Sequence, residues 1–342
     1  MGRLAPSSVV LGLSSGVDSS VAACILKQQG HKVIAVTLAL AGPGSHEQSN
    51  SCCSPTLMGK AKAIADHLGI PHYAVDKIDE FGREVVDYFV SEYASGRTPN
   101  PCAKCNARVR FAALLELARR LGAGAAATGH YARLTGDPGR LSRGLDTHKD
   151  QSYVLAEVAP GLLEQCMFPL GGLTKQQVRR IAAEQGLADL VSTESQEICF
   201  VPGDDYRAFL MGRLGPRPGA VVDESGNILA HHSGTYNYTI GQRSGLGLGG
   251  GRAMYVARVD AECAQVVASP EGGAEIQVIH FALSALHRHP AEGGISVQFR
   301  SMGRPVSGRL DGLDTIVLDQ PARGATQVRP VGQSHPVLAH AV

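Results

Sequence analysis

The first two hundred positions alternate between short apolar runs and stretches in which apolar residues recur with helical spacing. The short runs predict strands over residues 9–13, 32–40, 72–75 and 123–132. The helical spacing predicts helices over residues 18–29, 55–68, 80–93 and 108–121. Strands and helices in this order are typical of a parallel sheet with helices on both faces, so we expect an α/β fold.

The pattern changes after about residue 200, where glycine, proline and short β-branched runs dominate. These runs predict strands over residues 220–222, 235–240, 254–259, 265–268, 276–281, 295–299 and 315–318. Closely spaced strands with turn residues between them are typical of small β domains and barrels. We therefore expect an α/β domain over 1–203, a central β-rich domain over 204–270 and a β-barrel-like domain over 271–342.

The composition is that of a folded protein, with 44% hydrophobic and 18% charged residues among 342. No run of about 18 apolar residues occurs, so no membrane span is expected, and the polar residues 1–8 lack the pattern of a signal peptide. We therefore expect a cytoplasmic protein. The net charge of +1 gives no general attraction to nucleic acid, although a local basic face remains compatible with it.

Cysteines are frequent, at positions 24, 52, 53, 102, 105, 166, 199 and 263. Because a cytosolic chain of this size rarely uses structural disulfides, metal, redox or nucleophile roles are favoured for those with polar neighbours. Cys24 lies in an apolar helical pattern and is expected to pack as a small hydrophobe. Cys52 and Cys53 adjoin a polar loop and are interpreted as loop residues.

The segment over residues 13–20, Leu-Ser-Ser-Gly-Val-Asp-Ser-Ser, lies directly between the first predicted strand and the first predicted helix. Backbone N–H groups and the dipole at a helix start attract anions, and the serine hydroxyls add donors. Gly16 allows close approach of the backbone to a ligand. No GxxxxGK[ST] pattern occurs, so this is not a Walker A loop. The segment predicts a nucleotide-phosphate site, with an ordinary capped strand–turn–helix as the alternative.

A C-x-x-C pattern, Cys102 and Cys105, follows a proline-containing loop, and Cys199 is a third, distant cysteine. The prolines exclude regular structure up to Pro101. Lys104 and the arginines after Cys105 would lower a thiol pKa and favour the thiolate. A zinc site would need two more ligands, and a thioredoxin-type pair usually follows a strand. A nucleophile or an iron–sulfur site is therefore favoured.

Several motifs that occur in a fixed order carry a resemblance to a known family. Residues 14–19 are similar to the SGGxDS PP-loop of the pyrophosphatases that split ATP into AMP and pyrophosphate. The other motifs are RTPNPCAKCN at 97–106, ATGHY at 127–131, GLDTHKDQSY at 144–153, SQEICF at 195–200 and GQRSGLG at 241–247. From Val9 to about residue 270, the chain resembles the tRNA-specific 2-thiouridylase family. The resemblance implies a PP-loop catalytic domain over 1–203.

The resemblance also implies roles for individual residues. Cys105 aligns with the nucleophile and Cys199 with the persulfide cysteine. Contacts with ATP are implied for Gly12, Leu13, Ser14, Ser15, Gly16, Val17, Asp18, Ser19, Leu38 and Gly129. Contacts with tRNA are implied for Asn100, Pro101, Cys102, His130, Lys149, Asp150, Gln151, Arg300, Ser301 and Gln333. Ser15 replaces a family glycine, so we expect its Cβ to weaken ATP binding without abolishing it.

The implied reaction is the 2-thiolation of the wobble uridine of tRNA. ATP, with Mg²⁺, adenylates the C2 oxygen, and a persulfide on Cys199 delivers sulfur with the help of Cys105. In a rival mechanism, Cys102, Cys105 and Cys199 hold a [4Fe–4S] cluster that delivers the sulfur. The implied partners are the anticodon stem-loop of tRNA and a sulfur donor such as a cysteine desulfurase or a sulfur-relay protein. We expect a monomer.

Other interpretations remain open at this point. The chain could thiolate a small molecule, form C–N bonds as other PP-loop enzymes do, or be a non-catalytic metal- or RNA-binding module. Without the resemblance, residues 149–151 could be a helix start capped by Asp150. A basic strip for phosphate is predicted from Arg133, Arg140, Arg143 and Lys149, and Lys175, Arg179 and Arg180 would extend it or be solvated.

Overall fold

The computed structural model describes residues 8–40, 55–136, 139–192, 198–249, 253–270, 275–280, 295–298, 306–312, 315–323 and 329–330. Contacts divide the chain into two compact units. The first contains the described residues up to Val85 and those from Cys102 to Asp204, and the second contains Val86–Pro101 and the described residues from Asp205 onwards. The three-domain division from the sequence stays a prediction.

Strands and helices alternate over the first two hundred residues. In chain order they are β1 (Ser8–Gly12), α1 (Val17–Gln28), β2 (Lys32–Ala39), α2 (Pro55–His67), β3 (His72–Asp76), α3 (Ile78–Phe81), α4 (Asp87–Ala94), α5 (Pro101–Cys105), α6 (Phe111–Arg120), β4 (Ala125–Ala127), β5 (Ala132–Thr135), β6 (Arg140–Arg143), α7 (Pro160–Leu163), β7 (Cys166–Met167) and α8 (Lys175–Glu184). All of them belong to the first unit except α4 and Pro101, the first residue of α5.

The first unit is built on a parallel sheet with the strand order β3-β2-β1-β4-β7. The central strand, β1, has Val9, Val10 and Leu11 completely buried, as expected for a strand covered on both faces. The chain leaves β1 towards β2 on one side and reaches β4 on the other. The carboxyl ends of β1 and β4 therefore flank the switch point at which open α/β sheets bind ligands. The predicted α/β class is confirmed.

The predicted strands and helices are largely confirmed, but three differ in extent. The strand predicted over 123–132 ends at Ala127, because residues 128–131 turn away from the sheet. The helix predicted over 80–93 contains a π-helical segment, Gly82–Val86, and continues as α4. The helix predicted over 108–121 begins earlier, at Pro101, since proline is tolerated in the first helical turn, and it passes through the π-helical segment Asn106–Arg110 before α6.

The second unit contains α9 (Tyr206–Leu214) and the strands β8 (Gly219–Val222), β9 (Ile228–His232), β10 (Tyr255–Asp260), β11 (Gln265–Ser269), β12 (Glu275–His280), β13 (Ile295–Gln298), β14 (Val306–Asp311), β15 (Thr315–Arg323) and β16 (Arg329–Pro330). The strands form one sheet in the order β10-β11-β8-β9 and another in the order β12-β15-β14-β13-β16. Helix α4 packs on α9 within this unit, where Tyr93 stacks on Tyr206 with ring centroids 5.4 Å apart.

The β-rich character of the second unit is confirmed, with one wrong strand. Residues 235–240 were expected to be extended, but Thr235–Asn237 form a 3-10 turn. The reason is tertiary, because the Tyr236 side chain is buried and its hydroxyl donates to the Gly215 carbonyl at 2.8 Å. Within the described ranges, no helix is long and apolar enough to cross a membrane.

Candidate active site at the carboxyl ends of the parallel strands

The loop between β1 and α1 is folded by its own serines. The Ser14 N–H donates to Ser19 Oγ at 3.0 Å, the two hydroxyl oxygens are 3.0 Å apart, and the Gly16 N–H donates to Ser14 Oγ at 3.2 Å. The N-cap of α1 is Gly16, which has no side chain to accept from the N–H groups of the first turn. The hydroxyls that the sequence suggested as phosphate donors thus shape the loop. The backbone N–H groups of the first turn of α1 are the donors that can bind an anion.

Ser15 is buried, with 4% of its surface exposed, and its side chain contacts a distant segment. The Ser192 hydroxyl donates to Ser15 Oγ at 3.0 Å, and the Ser192 N–H donates to the Ser15 carbonyl at 2.8 Å. The hydroxyl that replaces a hydrogen of the family glycine therefore bonds to the chain that leads towards Cys199. The expected weakening of ATP binding by its Cβ stays a prediction.

Because Ser15 is buried and Ser192 is partly buried, we predict that Ser15→Ala and Ser192→Ala each lower the free energy of unfolding by about 1 kcal/mol. The double variant should lose clearly less than the sum, since both substitutions remove the same hydrogen bond. Urea denaturation of the four proteins measures this coupling. Strict additivity would mean that the Ser15–Ser192 bond contributes nothing.

The turn after β4 approaches the start of α1. A Cβ at Gly129 would lie 2.8 Å from the backbone nitrogen of Ser19 and 2.9 Å from the carbonyl carbon of Asp18, distances that only glycine avoids. Tyr131 makes a second contact between this turn and α1, because its hydroxyl donates to Asp18 Oδ1 at 2.7 Å. Leu38, near the end of β2, is half-buried. The structure thus brings Gly129 together with the PP-loop, as expected for a shared ligand site.

His130 lies inside the protein, with 7% of its surface exposed. Its Nε2 is 3.5 Å from the Asn106 amide nitrogen, which also donates to the Val154 carbonyl at 3.0 Å. Since that nitrogen can only donate, Nε2 accepts, and the proton of the neutral ring lies on Nδ1, 2.7 Å from Thr128 Oγ1. The Asn106 side-chain oxygen is buried and accepts no hydrogen bond from the residues that the structure describes. His130 therefore supports the residue that follows Cys105, and its predicted contact with tRNA stays a prediction.

Burial, with a smaller contribution from Arg110, lowers the pKa of His130 to about 3 from the ordinary 6.5. The folded protein excludes a proton that the unfolded chain accepts below pH 6.5, so stability is highest above that pH and falls as the pH drops towards about 3. Between about pH 7 and about pH 5, this group should remove about 2 kcal/mol of the free energy of unfolding.

The matched variant for this acid sensitivity is His130→Gln, which lacks the titrating ring. Urea denaturation at the two pH values should show that the variant, although less stable at neutral pH, loses less of its stability on acidification. Equal losses in both proteins would contradict the assignment.

The Lys149-Asp150-Gln151 segment holds the turn after β4 in place. The Gln151 side-chain oxygen accepts from the Tyr131 N–H at 3.1 Å, and the Gln151 N–H donates to the Tyr131 carbonyl at 2.9 Å. Asp150 accepts from the N–H groups of Gly144 and Ser152 at 2.9 and 3.2 Å. The 3-10 turn Ser152–Leu155 that follows has Gln151 as its N-cap and no side-chain cap bond, so the alternative of a helix start capped by Asp150 is wrong. The predicted contacts of the segment with tRNA stay predictions.

Lys175 does not extend a solvated basic strip. It is 6% exposed, and its ammonium group lies 2.7 Å from Asp18 Oδ1 and 2.9 Å from Oδ2. The sequence carried a signal for this role that was missed. Lys175 is the first residue of α8, where a cation is unfavourable for the helix dipole and so calls for a specific partner.

The three candidate sulfur-handling cysteines differ in exposure. Cys102 is exposed in the first turn of α5, Cys105 is buried at its end, and Cys199 is partly exposed. The residue after Cys199 is anchored, because the Phe200 ring packs edge-on against Phe81 with centroids 5.6 Å apart. The cation between the first two cysteines is already paired, since Lys104 lies 3.0 Å from Glu157.

The remaining described cysteines are structural or remote. Cys24 is 3% exposed within the core of the first unit, as predicted, and burial raises its pKa. Burial raises the pKa of Cys166 to about 12, so this thiol is not a nucleophile at neutral pH. Cys263 is exposed in the second unit. Cys52, Cys53, Arg300, Ser301 and Gln333 lie outside the described residues.

The positions of possible ligands bear on the iron–sulfur alternative. Within the part of the chain that the structure describes, no group of three or more His, Cys, Asp or Glu side chains could hold a metal ion. In this conformation Cys102, Cys105 and Cys199 therefore do not fit a [4Fe–4S] cluster.

Comparisons with known proteins give the chain its place. Residues 7–203 match the model described as the tRNA methyl transferase HUP domain, and residues 207–270 match the tRNA methyl transferase PRC-barrel domain. A Mycolicibacterium smegmatis protein named tRNA-specific 2-thiouridylase MnmA is 48% identical over 274 residues, which is 78% of this chain and 76% of the relative.

More distant relatives carry the same name. The Geobacter metallireducens protein is 46% identical over 79% of this chain and 76% of its own length. The Rhodococcus erythropolis protein is 42% identical over 92% of this chain and 93% of its own length. With the PP-loop at the switch point of a parallel sheet and the cysteine motifs in order, the chain belongs to the tRNA-specific 2-thiouridylase family.

Proposed function

We propose that this protein is an ATP-dependent tRNA-uridine 2-sulfurtransferase that converts the wobble uridine to 2-thiouridine. The observation that carries the proposal is the meeting of the PP-loop with the turn after β4, where Gly129 permits backbone contact with Ser19. The N–H groups at the start of α1 lie beside this contact, at the switch point of the sheet, which supports the binding of a phosphate there. The family membership and the cysteines at 102, 105 and 199 favour sulfur transfer as the chemistry served by that site.

The first half of the reaction activates the uridine. Its C2 carbonyl is a poor electrophile, and attack of the C2 oxygen on the α-phosphate of ATP expels pyrophosphate and leaves AMP bound to that oxygen. The N–H groups of the first turn of α1 stabilise the phosphate charge in this step. Mg²⁺ would neutralise the polyphosphate when bound.

The second half transfers sulfur. The terminal sulfur of a Cys199 persulfide attacks C2, and the C2–O bond breaks with AMP as the leaving group. The Cys105 thiolate then attacks Sγ of Cys199, the S–S bond breaks, and its electron pair stays on the sulfur bound to C2. The products are 2-thiouridine and a Cys105–Cys199 disulfide. A dithiol reductant then reduces this disulfide and regenerates the two thiols. Covalent carriage divides a difficult substitution into two easier steps.

The partners follow from this chemistry. Each turnover consumes one persulfide sulfur, so a cysteine desulfurase or a sulfur-relay protein is the expected donor. The anticodon stem-loop is the expected substrate, with Asn100, Pro101, Cys102 and the basic residues Arg133 and Arg140, both exposed, as proposed contacts. A monomeric state and a cytoplasmic location remain predictions.

Thiolation of anticodon stem-loop transcripts tests the proposed function. The protein is incubated with ATP, Mg²⁺, a cysteine desulfurase with cysteine as the source of persulfide sulfur, and a dithiol reductant, and the nucleosides are analysed by mass spectrometry. We expect 2-thiouridine from a transcript with uridine at the wobble position, and none without ATP or with cytidine at that position. Thiolation of a small molecule but not of the transcript, or a methylated nucleoside, would overturn the proposal.

A further inference from the structure

A buried ammonium group is paired with the carboxylate of the PP-loop. Lys175 has 8% of its side chain exposed, whereas the Asp18 side chain is 35% exposed, so one part of the carboxylate faces solvent. Tyr131, which is 1% exposed, donates its hydroxyl to the same Asp18 oxygen that Lys175 approaches at 2.7 Å. The Lys175 ammonium also lies over the Tyr131 ring, 5.8 Å from its centroid. Asp18 is thus held by two groups from different parts of the chain.

The position of Lys175 is fixed through its backbone. Thr174 and Gln177 form a capping box at the start of α8, in which the Thr174 N–H donates to the Gln177 side-chain oxygen at 2.7 Å. The Lys175 N–H donates to Asp146 Oδ2 at 2.9 Å. Asp146 also accepts from the N–H groups of His148 and Lys149, at 3.1 and 3.3 Å. These bonds place the lysine before any nucleotide arrives, which reduces the ordering needed on binding.

Asp18 creates an electrostatic problem for the proposed ATP site. It lies in the first turn of α1, where a carboxylate suits the helix dipole but repels an incoming polyphosphate. A cation at the start of α8 is in turn unfavourable for the dipole of α8. When Asp18 and Lys175 pair, their opposite charges compensate each other. The N–H groups at the start of α1 then lie beside a nearly neutral ion pair and not beside an isolated carboxylate.

We propose that Lys175 is a positioning residue of the nucleotide site, which fixes Asp18 together with Tyr131 and compensates its charge so that polyphosphate can approach the first turn of α1. The inference rests on the proposed ATP site and deepens it. Lys175 itself touches Asp18, and its effect on ATP passes through that carboxylate. Loss of the ammonium should therefore matter only while the charge of Asp18 remains.

The test compares Lys175→Gln, the double variant Asp18→Asn/Lys175→Gln and the control Lys62→Gln. Lys62 pairs with Asp66 on the exposed surface of α2 and lies outside the proposed site. The full chain is titrated with α,β-methylene-ATP in EDTA, by isothermal titration calorimetry, so that no divalent cation contributes. We expect binding to weaken by roughly 10- to 100-fold in Lys175→Gln, from repulsion by an uncompensated carboxylate. The double variant should bind within about threefold of the wild type, and Lys62→Gln should be unchanged.

The double variant separates charge compensation from a merely structural role. If Lys175 only stabilised the fold, Lys175→Gln would lower the melting temperature and leave the affinity for the analogue unchanged, which would overturn the proposal. Binding as weak in the double variant as in Lys175→Gln would overturn it too. If Lys175→Gln does not fold, the double variant decides alone, since replacing both members of a buried ion pair is far better tolerated than replacing one. Absence of binding by the wild type would instead contradict the ATP site.

Discussion

Cys105→Ser and Cys199→Ser are each expected to lower the rate of tRNA thiolation by roughly 10³-fold or more, because a serine hydroxyl can neither carry a persulfide nor form the disulfide that releases the sulfur. The measurement is the initial rate of 2-thiouridine formation with ATP, a wobble-uridine transcript, a cysteine desulfurase with cysteine as the persulfide source, and a dithiol reductant. The double variant should be no slower than the slower single variant, since the two thiols act in one sequence of steps.

Two further cysteines are the matched controls for that experiment. Cys263→Ser, on the exposed surface of the second unit, should retain full activity. Cys102→Ser separates the two sulfur mechanisms, because a persulfide route needs only Cys105 and Cys199, whereas a cluster would lose one of its three ligands. Activity lost in Cys102→Ser as completely as in Cys199→Ser, in a protein whose wild type binds iron, would overturn the persulfide route.

The activation step should survive loss of the sulfur chemistry. Phosphate handling is proposed for the loop between β1 and α1, whereas sulfur handling is proposed for Cys105 and Cys199. ATP–pyrophosphate exchange in the presence of tRNA should therefore continue in both serine variants. If exchange stopped together with thiolation, the substituted cysteine would also be needed to activate the uridine. The assignment of phosphate handling and sulfur handling to separate residues would then be wrong.

Gly129→Ala is the second substitution for which we expect a large effect, about a 100-fold loss in kcat/KM for ATP. The new Cβ would meet three backbone atoms of Asp18 and Ser19 at 2.8 to 3.0 Å, and neither backbone can rotate away as a side chain would. Either the turn after β4 or the first turn of α1 must shift. A displacement of about 1 Å at an active site costs about 100-fold in rate.

Gly172→Ala is the control for this substitution, because a Cβ at Gly172 would meet no atom within 4 Å. Both variants should be compared for kcat and KM with ATP, for KM with tRNA and for melting temperature. We expect the defect of Gly129→Ala to appear with ATP while KM for tRNA changes little. Wild-type kinetics in Gly129→Ala would show that the approach of the turn to α1 has no part in ATP use.

The site combines features that the sequence made predictable with features that it did not. Gly16 could be placed at the end of the first strand, since a glycine-containing turn after a buried strand is a local signal. Gly129 fell inside the strand predicted over 123–132, and only the family resemblance assigned it to the site. The roles of Ser15, His130 and Lys175 could not be read in this way. Each of these side chains is buried, and its partner lies on another element of the first unit.

Sequence alone determined the α/β class, the bounds of most of the elements that it predicted to within one or two residues, and the order of the motifs. These depend on periodicity, glycine and proline, all of which act over a few neighbouring residues. Residues 235–240 show the limit, because β-branched and aromatic residues favoured a strand, but burial of Tyr236 selected a turn. Local preference is weak compared with the burial of a large side chain.

Tertiary structure alone decided which polar groups meet. The bonds that define the PP-loop surroundings join Asp18 to Tyr131 across 113 positions, Asp18 to Lys175 across 157 and Ser15 to Ser192 across 177. Pairs this far apart cannot be recognised from the spacing of residues in the sequence, because strand order and helix packing decide which polar groups meet. The local sequence therefore specified the phosphate-binding loop, and the fold supplied the residues that hold it and compensate its charge.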